Sequence, residues 1–154
     1  MSRPFLIEDE PFLLSSVMRL HTMEQATKQR QRIAGVLEAF EFQEPDRFAV
    51  QMAIEEALVN AVKHGNGCDP TKVVTFRCRI TPALFRVEIT DQGSGFVPNE
   101  VPDPRDEGNI ELPCGRGLML MRHYMDTVEY SEGGTQVTME RKLTLAPEPE
   151  LMTA

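Results

Sequence analysis

The sequence predicts an α+β fold: a two-layer α/β sandwich with helices on one face of a mixed, mostly antiparallel sheet. Three observations carry this. Two stretches of alternating apolar and polar residues flank Thr81-Pro82, two longer stretches before them repeat at helical spacing, and two short strand-like runs close the chain. Stacking helices on one face is the economical way to bury both kinds of apolar surface.

The elements follow in order. Residues 12–18 are expected to form the first strand. Residues 22–40 then turn helical, with Ala26, Ile33, Val36, Leu37 and Phe40 at mixed spacings of three and four. Pro45 suits a first helical position and opens a second helix that runs to Lys63-His64. There Gly65 is expected to adopt the left-handed conformation that ends it. In the next strand Val74, Phe76, Cys78 and Ile80 alternate with Thr75, Arg77 and Arg79, and Thr81-Pro82 makes the turn. In its neighbour Phe85, Val87, Ile89 and Asp91 share one face. Residues 97–113 carry Pro98, Pro102, Pro104 and Pro113, and read as a long mobile loop of the kind that serves as a lid or binding loop. A short helix over 117–125 and strands over 127–130 and 135–143 complete the pattern. The polar, Pro-broken residues 146–154 are expected to be a disordered tail on a single domain spanning 1–145.

Composition narrows the function. The chain has 154 residues and 41% hydrophobic content, and 16 Lys+Arg against 24 Asp+Glu give a net charge of −8. A domain of this length buries roughly 70% of its unfolded-chain surface. The acidic balance argues against binding to nucleic acid or an anionic membrane, which needs clustered Lys and Arg, and leaves a basic protein partner open. Apolar runs such as Leu118-Met-Leu-Met121 are far shorter than the roughly 20 residues that span a bilayer. No signal-peptide pattern follows Met1, so a cytoplasmic protein is expected. Cys68, Cys78 and Cys114 are odd in number and lack CxxC spacing, which favours reduced thiols.

Three clusters carry chemistry. On the second helix Ile54, Ala57, Leu58, Ala61 and Val62 form an apolar stripe that should face the sheet. Glu56, Asn60, Lys63 and His64 form a second stripe beside it. A solvated face is the ordinary meaning of such a stripe, but these groups can also supply a base, a metal ligand and a phosphate contact, and Mg²⁺ accepts an Asn oxygen while keeping several waters. Asp91 points towards the core, where an unpaired charge is expensive, so it needs a donor. It either caps the Gln92-Gly93-Ser94-Gly95 turn or accepts hydrogen bonds from a buried ligand that the glycines allow to approach. Gly115-Arg116-Gly117 opens the short helix, where free backbone N–H groups bind phosphate oxygens. No Rossmann fingerprint, Walker loop or GxSxG elbow is present. His21, His64 and His123 lack the partners of a triad. His123 reads as packing in an apolar helix, and Met119, Met121 and Met125 as core fillers.

In order, Glu55-Glu-Ala-Leu-Val-Asn-Ala-Val-Lys-His-Gly65, Asp91-Gln-Gly-Ser-Gly-Phe96, a lid, and Gly115-Arg-Gly-Leu-Met-Leu-Met-Arg-His-Tyr-Met-Asp126 followed by Gly134-Thr135 are far more specific than any one alone. Together they resemble the N, G1 and G2 boxes of the GHKL (Bergerat, HATPase_c) ATP-binding fold of gyrase, MutL and histidine kinases. Within it they look most like bacterial anti-sigma factor serine/threonine kinases of the RsbW/SpoIIAB type, over roughly residues 12–143. Met119 stands where members often carry glycine.

The resemblance implies a role for each matching position. Asn60 would hold Mg²⁺ bridging the ATP phosphates, and Glu56 would be general base on an incoming serine hydroxyl. Asp91 would accept from the adenine amino group with Thr135 supporting the same edge. Gly93 and Gly95 would line the base pocket. Gly115 and Gly117, with Leu118, would meet the nucleotide under the lid, and Lys63 would contact phosphate. The implied protein is a Mg-ATP-dependent serine kinase that phosphorylates a STAS-type antagonist and sequesters a sigma factor, a partner switch, with homodimerisation possible by analogy. The alternative is a non-catalytic ATP-binding adaptor that uses the same pocket.

Overall fold

The computed structural model describes residues 12–95 and 113–147. Its elements are β1 (Leu14–Leu20), α1 (Met23–Ala39), α2 (Glu44–Val59) continued by a π-helical turn (Asn60–Gly65), β2 (Val74–Ile80), β3 (Leu84–Thr90), α3 (Pro113–Tyr124), β4 (Thr127–Ser131) and β5 (Gln136–Lys142). The five strands form one sheet in the order β1-β2-β3-β5-β4, antiparallel at every described pairing.

Register explains the two layers. Phe76 pairs with Ile89 and Cys78 with Val87, while Ile89 pairs with Val137 and Val87 with Met139, so the apolar positions of β2, β3 and β5 line up across one face. All are buried, as are Ile33 and Leu37 of α1 and Ile54, Ala57 and Leu58 of α2 that close over them. The stripe expected on the second helix faces the core at all five positions, Ala61 and Val62 included. The opposite face keeps its polar residues. There Arg86 donates to Glu140 at 2.6 Å, and the pair lies on paired strands, the usual unit of sheet stabilisation.

Local chemistry sets the helix ends. Thr22 caps α1, its Oγ1 accepting from the Gln25 N–H at 3.2 Å. Pro45 lies in the first turn of α2 with Glu44 and Asp46, where acids suit the helix dipole. Asp46 does more: its carboxylate accepts from Arg141 Nε and Nη2 and from the Thr144 N–H. Arg141 Nη1 also donates to the Tyr124 carbonyl at 2.6 Å, which joins α2, β5 and the end of α3.

Four expectations change. The first strand lies at Leu14–Leu20, two residues later than 12–18. The second helix does not end on a left-handed Gly65; it widens into the π-helical turn, and the positive φ angles fall at Gly67 (62°) and Cys68 (58°). The helix expected at 117–125 begins at Pro113. Met119 is 43% exposed and His123 is also exposed, edge-on to Tyr124, whereas Met121 and Met125 are buried as expected. Residues 96–112, which hold most of the expected lid, and residues 148–154 of the expected tail lie outside the described residues.

Candidate functional site

The π-helical turn organises the site. Hydrogen bonds from i to i+5 wind more loosely than an α-helix, so Lys63 and His64 need not continue the line of Glu56 and Asn60 although Ala61 and Val62 stay on the core face, and such turns are frequent at functional sites. The expected stripe therefore divides: Glu56 and Asn60 are half-buried, whereas Lys63 and His64 are exposed.

Helix α3 packs on α2 beside the first pair. A methyl group at Gly117 would lie 2.9 Å from Asn60 Nδ2 and 3.1 Å from Glu56 Oε2, so glycine there lets α3 come down onto both side chains. The earlier start of α3 gives its two glycines different situations. The first four N–H positions of a helix lack intrahelical partners, which puts the Gly115 amide outside the helical ladder and that of Gly117 within it. Leu118 is buried and its side chain belongs to the core.

The other end of the site is built from β3 and the close of the π-helical turn. Asp91 is half-buried, its N–H donates to the Thr135 carbonyl at 2.9 Å, and its Oδ1 accepts from the Gly93 N–H at 2.8 Å. Gly65 faces this carboxylate: a methyl group there would stand 2.5 Å from Asp91 Oδ2 and 2.7 Å from Oδ1. A methyl group at Gly93 would collide with the Gly65 carbonyl oxygen. Gly95 has φ +78° and faces the Gly133 carbonyl, with Thr135 Cγ2 3.5 Å from where its Cβ would be. Thr135 Oγ1 itself donates to the Glu132 carbonyl at 2.9 Å. The glycines expected to line a base pocket thus form the tight floor around Asp91.

Both carboxylates are held towards their neutral forms. Burial raises Glu56 above the ordinary carboxylate range, and the negative charge of Glu55 adds to it. Burial likewise raises Asp91, opposed by the Gly93 N–H bond and the Lys72 charge. Glu56 and Asn60 offer oxygen donors on one side of Gly117, which suits a hard cation, and the described residues hold no cluster of three or more His, Cys, Asp or Glu that would make an all-protein cage. Such a sparse donor set fits Mg²⁺, which is usually held by one or two protein oxygens together with substrate phosphates.

Sequence reasoning missed Asn66 and Gln92. Asn66 Oδ1 accepts from the Gln92 N–H at 2.7 Å and its Nδ2 donates to the Val73 carbonyl at 3.1 Å, while Gln92 Oε1 accepts from the Val73 N–H at 2.8 Å. The Asn66-Gly67 pair signals a turn, and nothing in it says that the side chain is buried.

The family described as Histidine kinase-like ATPase domain matches residues 21–141. The anti-sigma F factor of Clostridium perfringens (strain 13 / Type A) is 33% identical over 99 residues, covering 61% of this chain and 71% of that protein. The serine/threonine-protein kinase BtrW of Bordetella bronchiseptica is 28% identical over 97 residues, covering 60% of this chain and 68% of its own. A crystal structure of the RsbU and RsbW domains of a Mycobacterium tuberculosis protein aligns with 86% of this chain and 35% of that one, at TM-score 0.48 and 16% identity.

Proposed function

We propose, from the premise that this chain belongs to the histidine kinase-like ATPase family and to its RsbW/SpoIIAB-like branch, that it is a Mg-ATP-dependent protein serine kinase and anti-sigma factor. The observation that carries this is the meeting of Glu56, Asn60 and Gly117 where α3 packs on α2, with the Asp91 carboxylate set against Gly65 at the far end of the same π-helical turn.

In this reading ATP is the substrate, its adenine amino group donating to Asp91 and Thr135 supporting that edge. Gly93 and Gly95 floor the base pocket. The Gly115 amide, in the first turn of α3, takes phosphate oxygens, and Gly117 and the Leu118 backbone form the wall beside them. The exposed Lys63 ammonium adds a positive charge from α2's end. Asn60 would hold Mg²⁺, which when bound offsets phosphate charge. Glu56 accepts the proton of the attacking serine hydroxyl, and its raised proton affinity brings it nearer to the working pH of a general base. Phosphoryl transfer depends mainly on positioning and electrostatics, so these few groups suffice.

The protein substrate is a STAS-type antagonist and the sequestered partner a sigma factor, in the cytoplasm, with homodimerisation open by analogy alone. The likeness to an anti-sigma F factor and to a serine/threonine-protein kinase supports the anti-sigma and kinase parts of this reading. Incubating the full chain with γ-labelled ATP, magnesium and a candidate STAS protein tests it. Label on a serine of the antagonist is expected; ATP binding without transfer favours a non-catalytic adaptor.

A further inference from the structure

Asn66 lies at 4% exposure directly after Gly65, and both ends of its side-chain amide are bonded. Its bonds close a ring of three segments. The Asn66 amide takes the Gln92 N–H, the Gln92 side chain takes the Val73 N–H, and the Val73 carbonyl takes the Asn66 NH₂. The ring therefore ties the end of the π-helical turn, the residue before β2 and the residue after Asp91. Two of its three members are one residue from the purine end of the site: Gly65 beside Asn66, and Asp91 beside Gln92. On its other side Asp91 is tied through its own N–H to the Thr135 carbonyl.

We propose that Asn66 is a positioning residue that sets where the Asp91 carboxylate stands against Gly65, and thereby sets selectivity for a 6-amino purine. This rests on the reading of Asp91 as the adenine acceptor. Without the Asn66 acceptor the part-buried Gln92 N–H loses its side-chain partner, and the segment carrying the carboxylate loses its tie to the end of the π-helical turn while keeping the one to Thr135. A shift of a few tenths of an ångström there leaves the triphosphate end, built from Asn60, Glu56 and α3, where it was.

The test is calorimetry on the full chain with magnesium ATP and magnesium inosine triphosphate, whose 6-oxo group cannot donate to Asp91. In Asn66→Ala, ATP affinity is expected to fall about tenfold, the scale of one unsatisfied buried hydrogen-bonding group, with inosine triphosphate changed less than about threefold. Asn66→Ala combined with Asp91→Asn should bind ATP no more weakly than Asp91→Asn within about twofold, since both act on one contact. An equal loss for both nucleotides, or losses that multiply in the double variant, overturns the inference. If Asn66→Ala does not fold, the exposed Gln92→Ala, which removes the Val73 N–H bond, decides by the same comparison. A parent chain that does not distinguish the two nucleotides overturns the reading of Asp91 itself; discrimination retained in the variant overturns Asn66 alone.

Discussion

Gly117 on α3 stands so close to Asn60 at the end of α2 that a methyl group in its place would lie 2.9 Å from the Asn60 amide nitrogen and 3.1 Å from Glu56 Oε2. One helix, α2 with its π-helical turn, thus places a carboxylate and a carboxamide beside an early turn of another helix distant in sequence, α3, and the missing side chain is what permits it.

Gly117→Ala separates stability from function. Alanine gains about 1 kcal/mol of helix propensity, and its methyl meets the ends of side chains rather than backbone. Urea unfolding is expected to show an unchanged or slightly higher stability. Phosphoryl transfer is expected to fall by about 10²-fold, the scale attached to misplacing a reacting group by an ångström. Equal losses in both measurements contradict the assignment.

Glu56→Gln is expected to keep ATP binding and to lower transfer by roughly 10²- to 10⁴-fold, the worth of a positioned base. Its stability effect has a definite sign. The folded chain holds the Glu56 proton more tightly than the ordinary value of 4.5, so as pH rises through that value the unfolded chain releases its proton first and the fold is penalised. The penalty is complete above the raised folded value and absent well below 4.5. The Gln variant should therefore be the more stable of the two at about pH 8, with the advantage gone at about pH 3. The same ionisation predicts transfer by the parent chain that rises with pH through the raised value.

Asp91→Asn replaces an acceptor-only carboxylate by an amide that can present a donor. A loss of about tenfold to a hundredfold in ATP affinity is expected, the range for a hydrogen bond to a charged group. Calorimetry that finds equal ATP affinity in the two proteins removes Asp91 from the adenine site.

Asp46→Ala probes the frame rather than the site. Asp46 accepts twice from Arg141 and once from the Thr144 N–H, and the Asp46 and Arg141 side chains are 11% and 23% exposed. Removing the carboxylate strands a mostly buried guanidinium, at a cost of about 3 kcal/mol in urea unfolding. Discrimination between ATP and inosine triphosphate should be unchanged in the fraction that remains folded.

Alternation of Val74, Phe76, Cys78 and Ile80, and of Phe85, Val87 and Ile89, was enough to identify a strand pair and its buried face, because side-chain direction in a strand follows from position alone. The apolar stripe of α2 was legible for the same reason. Motif order made the chemistry legible as well: Glu56, Asn60 and Asp91 were picked out as residue types, and the structure places the first two together beside Gly117. Why glycine stands at 65, 93 and 117 was not legible. Gly65 was assigned to a left-handed helix end, but what it accommodates is the Asp91 carboxylate, just past the end of β3 and 26 residues away in sequence.

Local periodicity and residue chemistry, which act over one or two turns of chain, were thus decided by the sequence itself: the layers, the core faces and the candidate chemical groups. Helix boundaries at Pro113 and the π-helical turn after Val59, the separation of Lys63 from Glu56 and Asn60, and the Asn66 ring with Val73 and Gln92 came only with the tertiary structure. Each depends on which backbone groups meet across the fold, and a buried amide is satisfied by partners that no local pattern names.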